Sequence, residues 1–118
     1  MFGWSIVRVV GDSMSPTLDD GDYVIARSIG NSVCRNGTVV LIHHPTLGPI
    51  VKRVVSRDRS GRYVVEGDNT LSTTSESLGA LEATAIQAAV RWKVSPYGLH
   101  RIGKRMPDPL DTVSNESE

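Results

Sequence analysis

Val39-Val40-Leu41-Ile42 is followed, across Pro45-Thr46-Leu47-Gly48-Pro49, by Ile50-Val51-Lys52-Arg53-Val54-Val55. Valine and isoleucine fill both runs, as a pleated sheet prefers, and the residues between them favour a turn. The same grammar recurs on either side. Ser5 to Val10, Tyr23 to Ser28, Thr38 to His43, Pro49 to Arg57 and Tyr63 to Glu66 read as strands, broken at Asp19-Asp20-Gly21-Asp22, Gly30-Asn31-Ser32 and Asp58-Arg59-Ser60-Gly61. The chain is therefore expected to be mainly β, with short coiled sheets and little helix.

Leu81 to Val94 carries two signals. Ala83, Ala85, Ala88 and Ala89 favour helix, whereas Val90, Trp92 and Val94 alternate like a strand, which predicts a short turn followed by a final strand. From Tyr97 the pattern fails. His100, Arg101, Lys104 and Arg105 lead into Pro107, Pro109 and an acidic end, so residues 1–96 read as one domain and 97–118 as a tail, basic then acidic and partly disordered.

The 118 residues suffice for one modest core. Thirteen basic and thirteen acidic residues cancel, so no global field attracts nucleic acid, which is not expected as a partner. Cys34 stands alone, cannot form an internal disulfide, and reads as a small buried hydrophobe. The longest apolar stretches are far shorter than the roughly 20 residues that span a bilayer, so no transmembrane helix is expected. The segment from Met1 to Arg8 lacks the pattern of a secretory signal, and a cytoplasmic location follows as the expectation. Phe2 and Trp4 read as a cover for one edge of the core.

Two residues carry the chemistry. Ser13 lies in Gly11-Asp12-Ser13-Met14-Ser15-Pro16-Thr17-Leu18, directly after an apolar strand, and Lys52 lies inside the apolar run quoted above. A serine hydroxyl is a poor nucleophile until a base takes its proton, and burial makes lysine such a base by disfavouring its charge. From an ordinary pKa of ~10.4, neutrality at pH 7 requires about 4.6 kcal/mol at ~1.36 kcal/mol per unit. Desolvation, which lowers buried lysines by up to roughly 3–5 units, covers that without a cationic partner. Each residue also has a plainer reading. Lys52 and Arg53 can be solvent-facing charges, since alternation puts Lys52 with Ile50 and Val54 and Arg53 with Val51 and Val55 without saying which face is inner. Gly11-Asp12-Ser13 can be a turn or helix start, capped by Asp12 or Ser15 with Pro16 at a first helical position.

Taken together, the order Gly-Asp-Ser-Met-x-Pro-Thr-Leu, Gly21-Asp22-x-Val24, Val51-Lys52-Arg53-Val54-Val55 and Gly67-Asp68-Asn69 resembles the signal peptidase I family and its soluble relatives, from about Val9 to Trp92. The resemblance implies a compact signal peptidase/LexA-like β fold, with Ser13 as nucleophile and Lys52 as general base of a serine-lysine dyad. Gly67-Asp68-Asn69, by itself a loop turn, matches the start of a motif that in the family continues through a serine supporting the lysine. That position falls on Ser72 with a one-residue gap and on Thr73 without one. Thr74 and Glu76 stand where the family has an aspartate and an arginine, so that family ion pair is expected to be missing.

The Ser13 amide is the natural oxyanion donor. Gly11 occupies the place where some relatives carry a donor serine, Met14 follows the nucleophile, and Asp12 reads as a turn-stabilising residue, since its charge opposes an oxyanion. His43 and His44 invite a serine-histidine alternative, but their place before Pro45 reads as loop-shaping. No cofactor or metal is implied for the enzyme itself. The closest likeness is to the short proteases that mature nickel-containing superoxide dismutase by removing an N-terminal leader. The expected partner is accordingly a precursor protein. Two competitors remain, a LexA-like self-cleaving regulator, to which Arg35 to Val40 is similar, and a noncatalytic β-rich binding module.

Overall fold

The computed structural model describes residues 3–30, 32–69 and 80–103. Among these residues eight strands form one antiparallel sheet: β1 (Trp4–Arg8), β2 (Tyr23–Ser28), β3 (Val39–His44), β4 (Gly48–Arg57), β5 (Tyr63–Glu66), β6 (Ala80–Leu81), β7 (Ile86–Ser95) and β8 (Gly98–Arg101). Their spatial order is β1-β2-β7-β3-β4-β5-β6, with β8 pairing the far half of β7. The one helical element among the described residues is a 3-10 turn at Ala83–Ala85. A mainly β fold with little helix is thus what the sequence specifies.

Alternation explains how one sheet supports two apolar surfaces. In β3, Val39 and Leu41 point to one face and Val40 and Ile42 to the other, and all four are buried. The first face gathers Val9, Met14, Leu18, Val24, Val51 and Val90, and the second gathers Cys34, Val54, Tyr63, Val65 and Ile86. Each fully buried Val, Leu or Ile contributes about 1.5–3 kcal/mol of transfer free energy. Cys34 is buried as expected, and its amide donates to the Tyr63 hydroxyl at 3.0 Å, tying the loop before β3 to β5.

The turns lie where the sequence puts them. His44 Nδ1 receives the amides of Thr46 at 3.2 Å and Leu47 at 3.1 Å, closing the β3–β4 turn. Its ring thus shapes the His-Pro loop. Asp58 receives the amides of Ser60 and Arg62, both at 2.9 Å, and closes the β4–β5 turn.

The C-terminal reading needs correction. The sheet does not end at the strand containing Val90, Trp92 and Val94, and the tail does not begin at Tyr97. A hairpin returns there, and Gly98–Arg101 pairs with Ser95–Trp92. β8 is exposed along its whole length, so it has no apolar alternation to betray it. Backbone pairing and the Arg101 guanidinium stacked 5.3 Å from the centre of the Trp92 ring hold it. Residues 104–118, which include the segment from Pro107 expected to be disordered, lie outside the described residues.

Candidate functional site

The segment from Val9 to Asp22 crosses from β1 to β2 as a braced loop. Its apolar residues Met14 and Leu18, 1% and 0% exposed, plug into the first core face, so the two ends of the Ser13 turn are pinned by packing. Met14 therefore serves the site through the core. Gly11 has φ of +86°, a left-handed conformation that glycine adopts without penalty, and its amide donates to Asp20 Oδ1 at 2.8 Å. The Asp19–Asp22 turn closes on itself through the Asp19 amide and Asp22 Oδ2 at 2.8 Å. The segment 13–17 is a turn with a cis Ser15–Pro16 bond, and no helix starts at Pro16.

Ser13 is half-buried, and its peptide group is clasped by the loop after β5. The Asn69 amide donates to the Ser13 carbonyl at 2.9 Å, and Asn69 Nδ2 donates to the Asp12 carbonyl at 2.9 Å. Asp12 thus contributes its backbone to this clasp while its side chain stays exposed. Gly67 completes the contact. A Cβ placed there would lie 3.2 Å from the Ser13 carbonyl carbon and 3.3 Å from Ser13 Cβ, closer still to the carbonyl oxygen, so only glycine lets the two chains approach. Gly67-Asp68-Asn69 is therefore more than a loop turn.

Lys52 reaches the same region from β4. Its neighbour Arg53 pairs with Glu66, the last residue of β5, so the lysine strand runs beside the start of the Gly67–Asn69 loop that clasps Ser13. Lys52 is half-buried, on the face of Val40 and Val54. Both faces of β4 carry buried residues beside it, Val51 and Arg53 on one and Val54 on the other.

Arg53 is the residue that sequence reasoning left open. It is 3% exposed, and its Nε and Nη2 donate to Asp68 Oδ1 and Oδ2 at 2.9 and 2.8 Å, while Nη1 donates to the Gly37 carbonyl at 2.7 Å. Thr17 Oγ1 donates to the same carboxylate at 2.6 Å, and Lys93 Nζ donates to the Thr17 carbonyl at 3.1 Å. A fork-to-carboxylate pair of this kind has both strength and fixed geometry. It joins the Ser13 turn, the lysine strand and the Gly67–Asn69 loop at one buried point. The signal available in the sequence was an arginine in an apolar run together with an aspartate in a Gly-Asp-Asn turn, two charges each too costly to bury alone. Thr17 and Lys93 gave no such signal.

Ser72, Thr73, Thr74 and Glu76 lie outside the described residues. His43 is exposed and sits three residues along β3 from Val40, the partner of Lys52. Among the described residues no group of three or more His, Cys, Asp and Glu side chains is placed to hold a metal ion, and no helix is long and apolar enough to cross a membrane.

An antiparallel β domain that clasps a Gly-Asp-Ser turn against a Gly-Asp-Asn loop beside a lysine-bearing strand defines a recognisable class. Residues 4–89 match the Peptidase S24-like family, and the chain belongs to that family. It is a serine peptidase family that includes self-cleaving proteins. No curated protein matches the chain.

Proposed function

We propose that this protein is a serine endopeptidase with Ser13 as nucleophile and Lys52 as general base, and that it removes an N-terminal leader from a precursor protein, nickel superoxide dismutase foremost. The supporting observation is the clasp of the Ser13 peptide group by the loop that follows Glu66, whose cross-strand partner Arg53 adjoins Lys52. Holding a nucleophile and base in fixed geometry replaces entropy that an unorganised pair would lose on reacting.

In the reaction, neutral Lys52 takes the Ser13 hydroxyl proton as Oγ bonds to the scissile carbonyl carbon. The proton passes to the leaving nitrogen as the C–N bond breaks, leaving an ester on Ser13. Water then gives a proton to Lys52, adds to the ester and releases the new carboxyl terminus, and the proton returns to Oγ. The Ser13 amide supports the developing oxyanion. The Gly11 amide is committed to Asp20, so the second donor lies elsewhere. No metal takes part in this scheme.

The leader-removing assignment rests on the likeness of the His43-His44-Pro45 loop, the Val51–Val55 strand and Gly67-Asp68-Asn69 to the nickel superoxide dismutase maturation proteases, with the cytoplasm as the compartment. Family membership favours a second reading, cleavage of the chain by itself. Incubating the purified protein alone and with a nickel superoxide dismutase precursor separates them. A single cut near the precursor's N-terminus supports leader removal, a cut in the protein alone supports self-cleavage, and neither cut contradicts a peptidase of these kinds.

A further inference from the structure

A cavity of about 240 Å³ opens between the end of β2, the middle of β7 and the loop leading into β3. Three arginines line it, Arg27, Arg35 and Arg91, and among the described residues no aspartate or glutamate does. Among the described residues none of the three is paired with a carboxylate, Arg27 being engaged only with the Trp4 ring, 5.2 Å from its centre. Thr38 lines the same cavity. It is 4% exposed, and its hydroxyl is buried without a hydrogen-bond partner. A buried hydroxyl left unpaired is costly, and three arginines lining one cavity without a carboxylate give it a positive potential. An oxyanion in the cavity answers both.

The register locates this cavity relative to the dyad. Arg27 pairs with Ala89, Ala89 with Val40, and Val40 with Lys52, so the four form one row across β2, β7, β3 and β4. Residues directly opposite share a face, which places Arg27 and Lys52 on the same side of the sheet. Three strand spacings, about 14 Å, separate them, and Ala89 and Val40 lie buried between, so a polypeptide that reaches both sites takes a longer path than that row.

We propose that the Arg27/Arg35/Arg91 cavity binds an acidic side chain of the polypeptide being cut, more than about four residues from the scissile bond. This inference rests on the peptidase reading above, and it makes that enzyme selective for substrates with Asp or Glu at that distance. Arginine forks match a carboxylate at two points, whereas the amide of Gln or Asn offers no charge to the three cations.

The test uses the full chain carrying Ser13→Ala, so that binding is read without cleavage. Acetyl-Ala-Ala-Glu-Glu-Ala-Ala-amide, its Gln-Gln counterpart and inorganic phosphate are titrated separately while the arginine Nε–H signals are followed by NMR. The expected result is saturable shifts at Arg27, Arg35 and Arg91 with the Glu peptide. The Gln peptide is expected to bind at least tenfold more weakly. Arg35→Gln with Arg91→Gln should weaken the Glu peptide at least tenfold, and the corresponding pair of lysine substitutions should restore part of the loss. Equal binding of the Glu and Gln peptides, or an affinity unmoved by the double change, overturns the proposal. Phosphate binding that the Glu peptide cannot displace also overturns it and makes the cavity a phosphate site. Arginine-dependent binding of the Glu peptide, with no substrate cut by the unmodified enzyme, supports the acid-binding cavity and removes the peptidase reading instead.

Discussion

Arg53 and Asp68 meet at two points, 2.9 and 2.8 Å, with side chains 3% and 4% exposed. Fifteen positions apart in the chain, they lock the strand that carries Lys52 to the loop that grips Ser13. Thr17 adds a third hydrogen bond to the same carboxylate, from the far end of the Ser13 turn. The site is therefore fixed by a buried charge pair beside it, while Ser13 and Lys52 stay half-buried within reach of a substrate.

Breaking this pair on one side takes from the buried Arg53 the carboxylate it meets at two points. Asp68→Ala is expected to lower stability by about 3–5 kcal/mol, read as a shift in the urea unfolding midpoint. Replacing both partners, Arg53→Met with Asp68→Leu, should return most of that loss, because two apolar groups need no counter-charge. A double variant no more stable than Asp68→Ala would show that the pair is not what Asp68 contributes.

Gly67→Ala acts on Ser13 through sterics alone. The added methyl meets the Ser13 carbonyl and Cβ, and both segments are tied to each other by the Asn69 bonds, so Ser13 must move. A displacement on the order of 1 Å costs about a hundredfold in rate for reactions that depend on positioning. We expect that loss in cleavage rate with the circular dichroism spectrum unchanged.

These two relationships mark where the sequence was legible and where it was not. β2 and β5 begin and end at the residues expected, since Val and Ile runs bounded by Asp-Gly and Ser-Gly turns leave little choice. The clasp of the Ser13 turn by Asn69 was not readable, because Asp12 and Asn69, which meet there, stand 57 positions apart in the chain. The burial of Arg53 was not readable. Alternation leaves both faces of a strand open, and it is Asp68 and the Gly37 carbonyl that make its inner position affordable. β8 escaped because a fully exposed strand carries no apolar period.

Tyr63→Phe removes the hydroxyl that accepts from the Cys34 amide while keeping the ring in the second core face. Loss of this buried hydrogen bond should cost about 0.5–1.5 kcal/mol, measured by thermal or urea unfolding. Exchange of the Cys34 amide should accelerate in parallel.

The β4–β5 turn has a pH signature. The Arg62 amide bonded to Asp58 holds the carboxyl below its ordinary value of 3.8, with the Arg62 charge and the Ser60 amide adding to the effect. A carboxyl depressed in the folded state stabilises it above the unfolded pKa, and that contribution disappears as pH falls through the folded pKa. An NMR titration should therefore place the Asp58 midpoint below that of a model aspartate. Arg62→Gln should leave much of the lowering in place, because the backbone amide remains.

The most direct test of the dyad is mass spectrometry of a nickel superoxide dismutase precursor incubated with the unmodified protein, Ser13→Ala and Lys52→Ala, each verified as folded. The account predicts one N-terminal cut by the unmodified protein and none by either variant. Near-normal cutting by Lys52→Ala would contradict the dyad, and an uncut precursor with a well-folded unmodified protein would contradict leader removal.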